Sequence, residues 1–94
     1  MKDGIWEKIL WKDSKSGSYV RLVRSEPGSK GLNKLKHECD ELVYVLQGQQ
    51  ENTNNGKKWH QGMYSIFPAG TEHGPFSTEE GIISIEFRYY SEKK

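Results

Sequence analysis

Glycine and proline interrupt the chain at short intervals, and this spacing is the strongest constraint on its fold. The 94 residues include 10 Gly and 3 Pro. Eight of the glycines and two of the prolines belong to the turn signals Ser16-Gly17, Pro27-Gly28, Gly31, Gly48, Asn55-Gly56, Gly62, Pro68-Ala69-Gly70 and Gly81. Turn signals spaced roughly 8 to 12 residues apart are typical of an all-β sandwich or barrel.

The segments between the turns have the composition of β-strands. In segment 83–90 apolar or aromatic residues alternate with other residues, and this period of two is the strand repeat. Segments 18–24 and 42–46 are rich in β-branched and aromatic residues, which favour strands. Asn54-Asn55-Gly56 between two such segments predicts a hairpin. Segment 5–13 alone is compatible with a helix, which at that length would be marginal.

Composition predicts a single folded domain with a thin, aromatic-rich core. A mean hydropathy of −0.89 is close to the disordered range, but 3 Trp, 5 Tyr and 3 Phe are unusual for a disordered chain. A net charge of +1 argues against a general nucleic-acid binder. The residues expected in the core or at an interface between copies are Trp6, Trp11, Tyr44, Tyr64, Phe67, Phe76 and Phe87.

Cysteine content and the apolar segments bear on the compartment. Cys39 is the single cysteine, so no internal disulfide is possible. Segment 1–10 lacks the apolar stretch of a signal peptide, and no segment approaches the roughly 20 apolar residues of a membrane span. We therefore expect a cytoplasmic protein with neither a membrane nor a nucleic acid as partner.

Two segments concentrate the residues that could carry chemistry. The first is 37–41, which contains His37 and Glu41 and precedes an apolar run; the second is 62–73, which ends in His73. Inside a barrel these three side chains could converge. Two imidazoles and one carboxylate around an ion leave coordination positions open, an arrangement that suits Fe(II) and similar divalent metals.

The second segment resembles the second conserved motif of the cupins, G-x5-P-x-G-x2-H-x3-N. Gly62, Pro68, Gly70 and His73 occupy the corresponding positions in register. The last position differs, because Ser77 stands where asparagine is usual. Segment 62–77 is thus similar to a cupin second motif in all but its final residue.

The preceding segment resembles the first cupin motif, G-x5-H-x-H-x3-4-E-x6-G, with one ligand position changed. Glu41 and Gly48 match its end, and His37 stands at the second histidine. Leu35 then occupies the position of the first histidine. In an alternative register His37 is the first histidine and Cys39 replaces the second, but that leaves too few residues before Glu41.

The resemblance covers about residues 27–77 and implies an all-β fold. The expected architecture is a cupin-type double-stranded β-helix, a jelly-roll barrel of two antiparallel sheets, formed by a single domain over residues 1–94. Within it, 1–13 would be an N-terminal arm or strand and 91–94 a solvated tail. The chain is more loosely similar to the cupin domain of zinc-dependent anti-sigma factors. Members are often homodimers, and we expect one here.

The resemblance also implies a site. The metal ligands would be His37, Glu41 and His73, and the residues lining the pocket would include Leu35, Cys39 and Phe67. The expected cofactor is a divalent ion such as Fe, Mn, Zn or Ni. Because a leucine side chain cannot donate to a metal, Leu35 removes one of the four usual ligands and leaves a metal-free barrel as an alternative.

Three functions are compatible with these residues. The first is binding of a divalent metal, a small organic ligand, or both in the barrel interior, without established turnover. The second is a metal-dependent enzyme of the dioxygenase, isomerase or lyase type acting on a small organic acid or carbonyl compound. The third is a metal-free regulatory or interaction module. Fold alone does not choose among them.

Overall fold

Short strands separated by turns make up the chain, as its glycine and proline spacing predicts. The computed structural model describes residues 4–29, 35–36 and 38–90, with the backbone alone at 35, 36 and 73. The strands are β1 (Ile5–Lys12), β2 (Tyr19–Ser25), β3 (Leu35–Lys36), β4 (Asp40–Asn52), β5 (Lys58–His60), β6 (Tyr64–Phe67), β7 (Glu72–His73), β8 (Phe76–Ser77) and β9 (Ile82–Tyr89). The segment for which a helix was the alternative is strand β1. The described ranges contain no helix long and apolar enough to cross a membrane.

The strands form an antiparallel jelly roll in which β4 joins the two sheets. Strands β1, β2, β9 and β4 are neighbours in that order, and β6 pairs with the other side of the first half of β4. The β4–β9 register shifts between Val45 and Gln47, and the second half of β4 then pairs with β5 and β8. A shift of this kind bends a strand. Strand β4 therefore runs from one sheet into the other.

The predicted hairpin is confirmed, with a longer loop than the two-residue turn that Asn-Gly favours. Strands β4 and β5 pair antiparallel, and residues 53–57 connect them. The carbonyl of Asn52 accepts from the amide of Gly56 at 2.8 Å, and the Asn52 amide donates to the Lys57 carbonyl at 2.8 Å. These bonds close the loop around Gly56, whose φ is +75°.

A small aromatic cluster forms the core. Trp59 is buried and packs edge-on against Phe67 and Phe76, with ring centroids 6.3 and 6.1 Å away. Val45 and Ile82 complete the cluster. The expectation that Phe67 and Phe76 lie in the core is confirmed, whereas the contribution of Trp59 was not anticipated.

The outer face of the large sheet is apolar and exposed. Across five strands, Ile66 of β6 pairs with Leu42, Leu42 with Phe87, Phe87 with Val20, and Val20 with Trp11 of β1. Directly paired residues lie on the same side of a sheet, so these five side chains form one row, which we call the outer face. Trp11, Tyr44, Tyr64 and Phe87 are exposed, so of the two expected positions, core or interface between copies, the interface is the one that remains for them.

The glycine that ends the first motif lies at a close backbone contact. Gly48 has φ +88°, and a Cβ built there would lie 2.0 Å from the carbonyl oxygen of Gly81. Only glycine fits such an approach. The spacing between Glu41 and Gly48 therefore marks where β4 and the start of β9 touch.

Candidate functional site

The inner face of the large sheet carries charged side chains. Glu41 of β4 pairs directly with Arg88 of β9, and Arg21 of β2 pairs directly with Glu86 of β9. The inward position follows from burial along β4, where Glu41 is buried together with Val43. The polar residues of the alternating C-terminal segment therefore face the barrel interior, while the apolar ones face outward.

These side chains form one chain of ion pairs. Arg88 Nε donates to Glu41 Oε2 at 2.7 Å, and Arg88 Nη2 lies 3.6 Å from Glu86 Oε1. Arg21 donates to the same Oε1 of Glu86, from Nε at 2.8 Å and from Nη2 at 2.7 Å. Arg21 also pairs with Glu7 of β1. We call these five residues, which cross four strands, the ionic ladder.

The ladder is largely removed from water and carries more negative than positive groups. Exposure of the side chains rises from 3% at Glu41 through 13–20% at Arg88, Glu86 and Arg21 to 46% at Glu7. Three carboxylates against two guanidinium groups give a formal charge of −1. The charged groups of the ladder therefore leave no excess positive charge for an anionic guest.

Burial and neighbouring charge shift the ionisation of the ladder. Burial raises the pKa of Glu86, the charge of Glu41 raises it further, and Arg21 offsets part of the effect. Burial acts to lower the pKa of Arg88. The negative charges of the carboxylates, that of Glu41 above all, outweigh this effect, so the pKa of Arg88 is raised. The pKa of Arg21 is raised in the same way, chiefly by Glu86.

The raised pKa of Glu86 predicts a pH-dependent difference between wild type and Glu86→Gln. A carboxyl whose folded pKa lies above its ordinary 4.5 stabilises the fold below that pH and loses this contribution as pH rises through the folded pKa. Wild type should therefore lose stability relative to Glu86→Gln as pH rises from 4.5 towards neutral. Urea unfolding across this range measures the difference. Glu79→Gln changes an exposed carboxylate, and its free energy of unfolding should depend on pH as that of wild type does. If the free energy of Glu86→Gln also followed that of wild type at a constant difference, the prediction would be wrong.

A cavity of about 180 Å³ lies beside the ladder inside the barrel. Its polar lining comes from Arg21, Ser25, Ser29, Gln50, Ser77, Thr78, Ser84 and Glu86. Its apolar lining comes from Ile5, Val23, Phe76 and Ile82. This volume is roughly that of six water molecules and is below the usual range of drug-sized pockets. The cavity thus suits a small molecule with both polar and apolar surface.

The structure describes the three predicted metal ligands unequally. Glu41 is buried at the start of β4, with its Oε2 held by Arg88. The backbone of His73 pairs with that of Leu35 between β7 and β3. Position 35, where the cupin motif has its first histidine, therefore lies directly across from His73. His37 lies outside the described residues. Among the described side chains, no group of three or more potential ligands forms a metal site.

The chemistry at Glu41 is compatible with a metal site of reduced ligand number. Ligating carboxylates are commonly held by a hydrogen-bond donor behind them, and Arg88 supplies such a donor. Leu35 cannot supply a fourth ligand. The donor set therefore fits an ion held by His37, Glu41 and His73, which stays a prediction.

The remaining predicted pocket residues are placed differently. Cys39 is buried at 1% exposure and hydrogen-bonds the Tyr90 hydroxyl, which raises the pKa of Tyr90. Phe67 packs in the aromatic cluster with Trp59. Neither lines the cavity beside the ladder. Asp40 Oδ1 accepts from the Ala69 amide at 2.8 Å and so joins the two motif segments.

Sequence interpretation missed Arg21, Ser84, Glu86 and Arg88 as site residues. Their signal was present in the alternation of segment 83–90, but alternation alone does not say which set faces inward. In this segment the polar residues alternate with four apolar or aromatic ones (Ile, Ile, Phe, Tyr), and either group could face the barrel interior. The pairing register with the neighbouring strands shows which group does.

Comparison with known proteins agrees with this architecture. The sequence profile of the ChrR cupin-like domain family matches residues 1–90. The chain belongs to this family. A comparison with curated protein sequences gives no match. The resemblance to cupins that the two motif segments indicate is therefore confirmed.

Solved cupin structures share the fold at low sequence identity. An RmlC-like cupin from Shewanella frigidimarina superposes with a TM-score of 0.82 at 17% identity, covering 99% of this chain and 82% of that one. An RmlC-like cupin from Ralstonia eutropha has a TM-score of 0.82 at 20% identity, and this chain, 94% of which is covered, spans 57% of its length. An acetylacetone dioxygenase from Acinetobacter johnsonii has a TM-score of 0.77 at 16% identity, covering 93% and 61%. At these identities the likeness shows the cupin fold alone.

Proposed function

We propose that this cupin binds a small polar organic ligand in its barrel interior, with a divalent metal ion at the Glu41 end of the same interior. The observation that carries the proposal is the ionic ladder beside a cavity of about 180 Å³. Buried charges are costly unless they are paired. A thin-cored barrel that keeps four of them beside an open space is better explained by binding than by stability.

The lining of the cavity supports an organic ligand. Polar groups from β2, β4, β8 and β9 face apolar side chains across it. Ligand sites commonly combine an apolar lining with a few placed polar groups. The cavity also meets the ladder at Arg21 and Glu86, so a bound molecule would contact charged groups that are already fixed in position.

Native mass spectrometry tests the organic-ligand part of the proposal. Untagged protein purified from cells under mild conditions should carry one bound small molecule per barrel, which denaturation releases. In Ser84→Val two methyl groups replace the hydroxyl and project into the cavity, so this variant should lose the bound mass. Wild type that carries nothing, or Ser84→Val that retains the same mass, would contradict an interior ligand.

Metal reconstitution tests the ion. Stripped wild type offered Fe, Mn, Ni, Co or Zn should take up metal, and Glu41→Gln and His73→Ala should each reduce occupancy to a small fraction. Leu35→His should tighten binding, because position 35 lies across from His73 in the β3–β7 register and would restore the fourth ligand. Equilibrium dialysis with elemental analysis measures all of these.

Two further variants make the metal experiment decisive. Glu38→Gln changes an exposed carboxylate three residues before Glu41 and should leave occupancy unchanged. If Cys39→Ser abolished binding while Leu35→His had no effect, the alternative motif register would be correct. Wild type that binds none of the five metals would contradict the metal part of the proposal.

We also propose that the outer face is covered by a second copy of the chain. Ile66, Trp11 and Phe87 are 59%, 55% and 43% exposed and lie in one row across five strands. Monomeric proteins rarely expose contiguous apolar patches of this kind. A homodimer that is joined through the same face on both copies would remove it from water.

Sedimentation velocity tests the homodimer. Wild type should sediment as a dimer at micromolar concentration, and Tyr64→Lys combined with Ile66→Lys should sediment as a folded monomer, because two buried charges at the interface are costly. Thr53→Lys, at an exposed loop position, should remain dimeric. A wild-type monomer, or a dimeric double variant, would rule out this face as the interface.

A further inference from the structure

Ser84 has an unusual environment for a polar residue. It is 3% exposed, lies between Val45 and Val23 in the strand register, and lines the cavity. None of the side-chain hydrogen bonds in the part of the chain that the structure describes involves its hydroxyl. Most buried hydroxyls in proteins are hydrogen-bonded. The Ser84 hydroxyl therefore faces a space where a partner is missing.

Glu86 presents a second unused group to the same cavity. Its contacts with Arg21 and Arg88 all involve Oε1. Within the described residues, Oε2 has no hydrogen-bond donor. A carboxylate oxygen accepts hydrogen bonds. A ligand that matches the cavity therefore carries a hydrogen-bond donor for Glu86 as well as a partner for Ser84.

Three more polar residues of the wall have a similar character, whereas the Thr78 hydroxyl is already bound to Gln49. Ser25, Ser77 and Gln50 line the cavity, and their side chains make no hydrogen bonds to the described residues. Hydroxyl and amide groups both donate and accept. The matching guest carries several groups that do the same, together with C–H surface for Val23 and Phe76 on the apolar side.

The charge of the ionic ladder further restricts the chemical class of the ligand. Both guanidinium groups of the ladder are already bound to carboxylates, so the described residues that line the cavity offer no unpaired cation to an anionic ligand. A neutral molecule with hydroxyl groups meets the unused acceptors and donors without adding charge.

We propose that the ligand of the cavity is a small, uncharged polyhydroxylated compound that hydrogen-bonds the hydroxyl of Ser84 and the free carboxylate oxygen of Glu86. This inference rests on the proposed interior ligand site and names its chemical class. Ser84 and Glu86 are two residues apart on β9 and face the same side, so one flexible polyol can reach both.

Saturation-transfer NMR with three matched probes tests the class. Xylitol, xylonate and 1-amino-1-deoxyxylitol share a five-carbon chain and differ in charge at one end. Xylitol should give the strongest transfer, and titration should show its affinity reduced about fivefold in Ser84→Ala and about tenfold in Glu86→Gln. Stronger binding of xylonate or of the amine would overturn the proposed class.

Ser18→Ala is the matched control for Ser84→Ala. Ser18 is equally buried at 4% exposure, but its hydroxyl accepts from the Tyr90 amide at 2.8 Å and from Ser16 Oγ at 2.9 Å. Ser18→Ala should lower the melting midpoint by about 4 to 8 °C and leave xylitol binding unchanged. Ser84→Ala should keep a midpoint at or above that of wild type, because it removes a buried hydroxyl without a partner.

The outcomes separate the ligand class from the site itself. If a charged probe binds best and Ser84→Ala weakens it, the polyol class is wrong while the interior site stands. If none of the three probes binds, the polyol class is overturned, and the native mass spectrum then decides the interior site. A midpoint lowered in Ser84→Ala as in Ser18→Ala would show that Ser84 has a structural role and would overturn the inference.

Discussion

Replacing Arg88 with leucine in the metal-free protein is expected to lower the free energy of unfolding by about 3–5 kcal/mol. The side chain of Glu41 is 3% exposed and its Oε2 accepts the hydrogen bond from Arg88 Nε at 2.7 Å. Leucine would remove the guanidinium from this buried carboxylate, and its negative charge would then face Glu86 with less compensation. Urea unfolding at neutral pH measures the loss.

Two variants show whether the loss comes from the ion pair. Arg24→Leu makes the same substitution at an exposed arginine, whose guanidinium lies over the Trp6 ring, and should cost less than about 1 kcal/mol. Glu41→Leu combined with Arg88→Leu should recover most of the stability, since an apolar pair often replaces a buried ion pair at little cost. A double variant as unstable as Arg88→Leu alone would mean that the pair is not the cause.

Replacing Gly48 with alanine is expected to destabilise the barrel by about 3 kcal/mol or more. The added Cβ would meet the carbonyl oxygen of Gly81 at 2.0 Å, so strands β4 and β9 would have to separate. The added Cβ would be fixed to the backbone of β4, and the Gly81 carbonyl belongs to the backbone at the start of β9. Neither atom can move away without moving the sheet. Thermal or urea unfolding of the purified variant measures the change.

Gly62→Ala isolates the contribution of the backbone angle. Gly62 has the same φ of +88°, but within the described part of the chain no atom beyond its two neighbouring residues lies within 4 Å of the position of an added Cβ. Alanine there should cost only about 1–2 kcal/mol. If the two alanine variants were equally stable, the close approach to Gly81 would not be the reason for glycine at position 48.

Much of the fold could be predicted because turn residues and strand periodicity are local properties. Asn54-Asn55-Gly56 marked the β4–β5 hairpin, and the motif glycines marked positions that the backbone requires. Segment 5–13 was ambiguous because an eight-residue strand at a sheet edge and a short amphipathic helix can share a composition. Its pairing with β2 is a tertiary contact that decides between them.

The site was predicted only in part because it depends on which side of each strand faces inward. Glu41 was identified through its motif and is buried. Arg21, Glu86 and Arg88 are charged residues that ordinarily lie on the surface, and they are internal here because each faces an opposite charge on a neighbouring strand. Such pairing follows from the register of three strands, which no single segment of sequence reveals.

An NMR titration of the ¹⁵N-labelled protein with a library of small organic compounds tests the central claim, that the barrel interior is the binding site. We predict that the compounds that bind shift the amide signals of Arg21, Gln50, Ser84 and Glu86, which surround the cavity. Shifts confined to the outer face, at Trp11, Ile66 and Phe87, would instead indicate an interaction module and contradict the account. A library from which no compound perturbs the inner-face signals would contradict it equally.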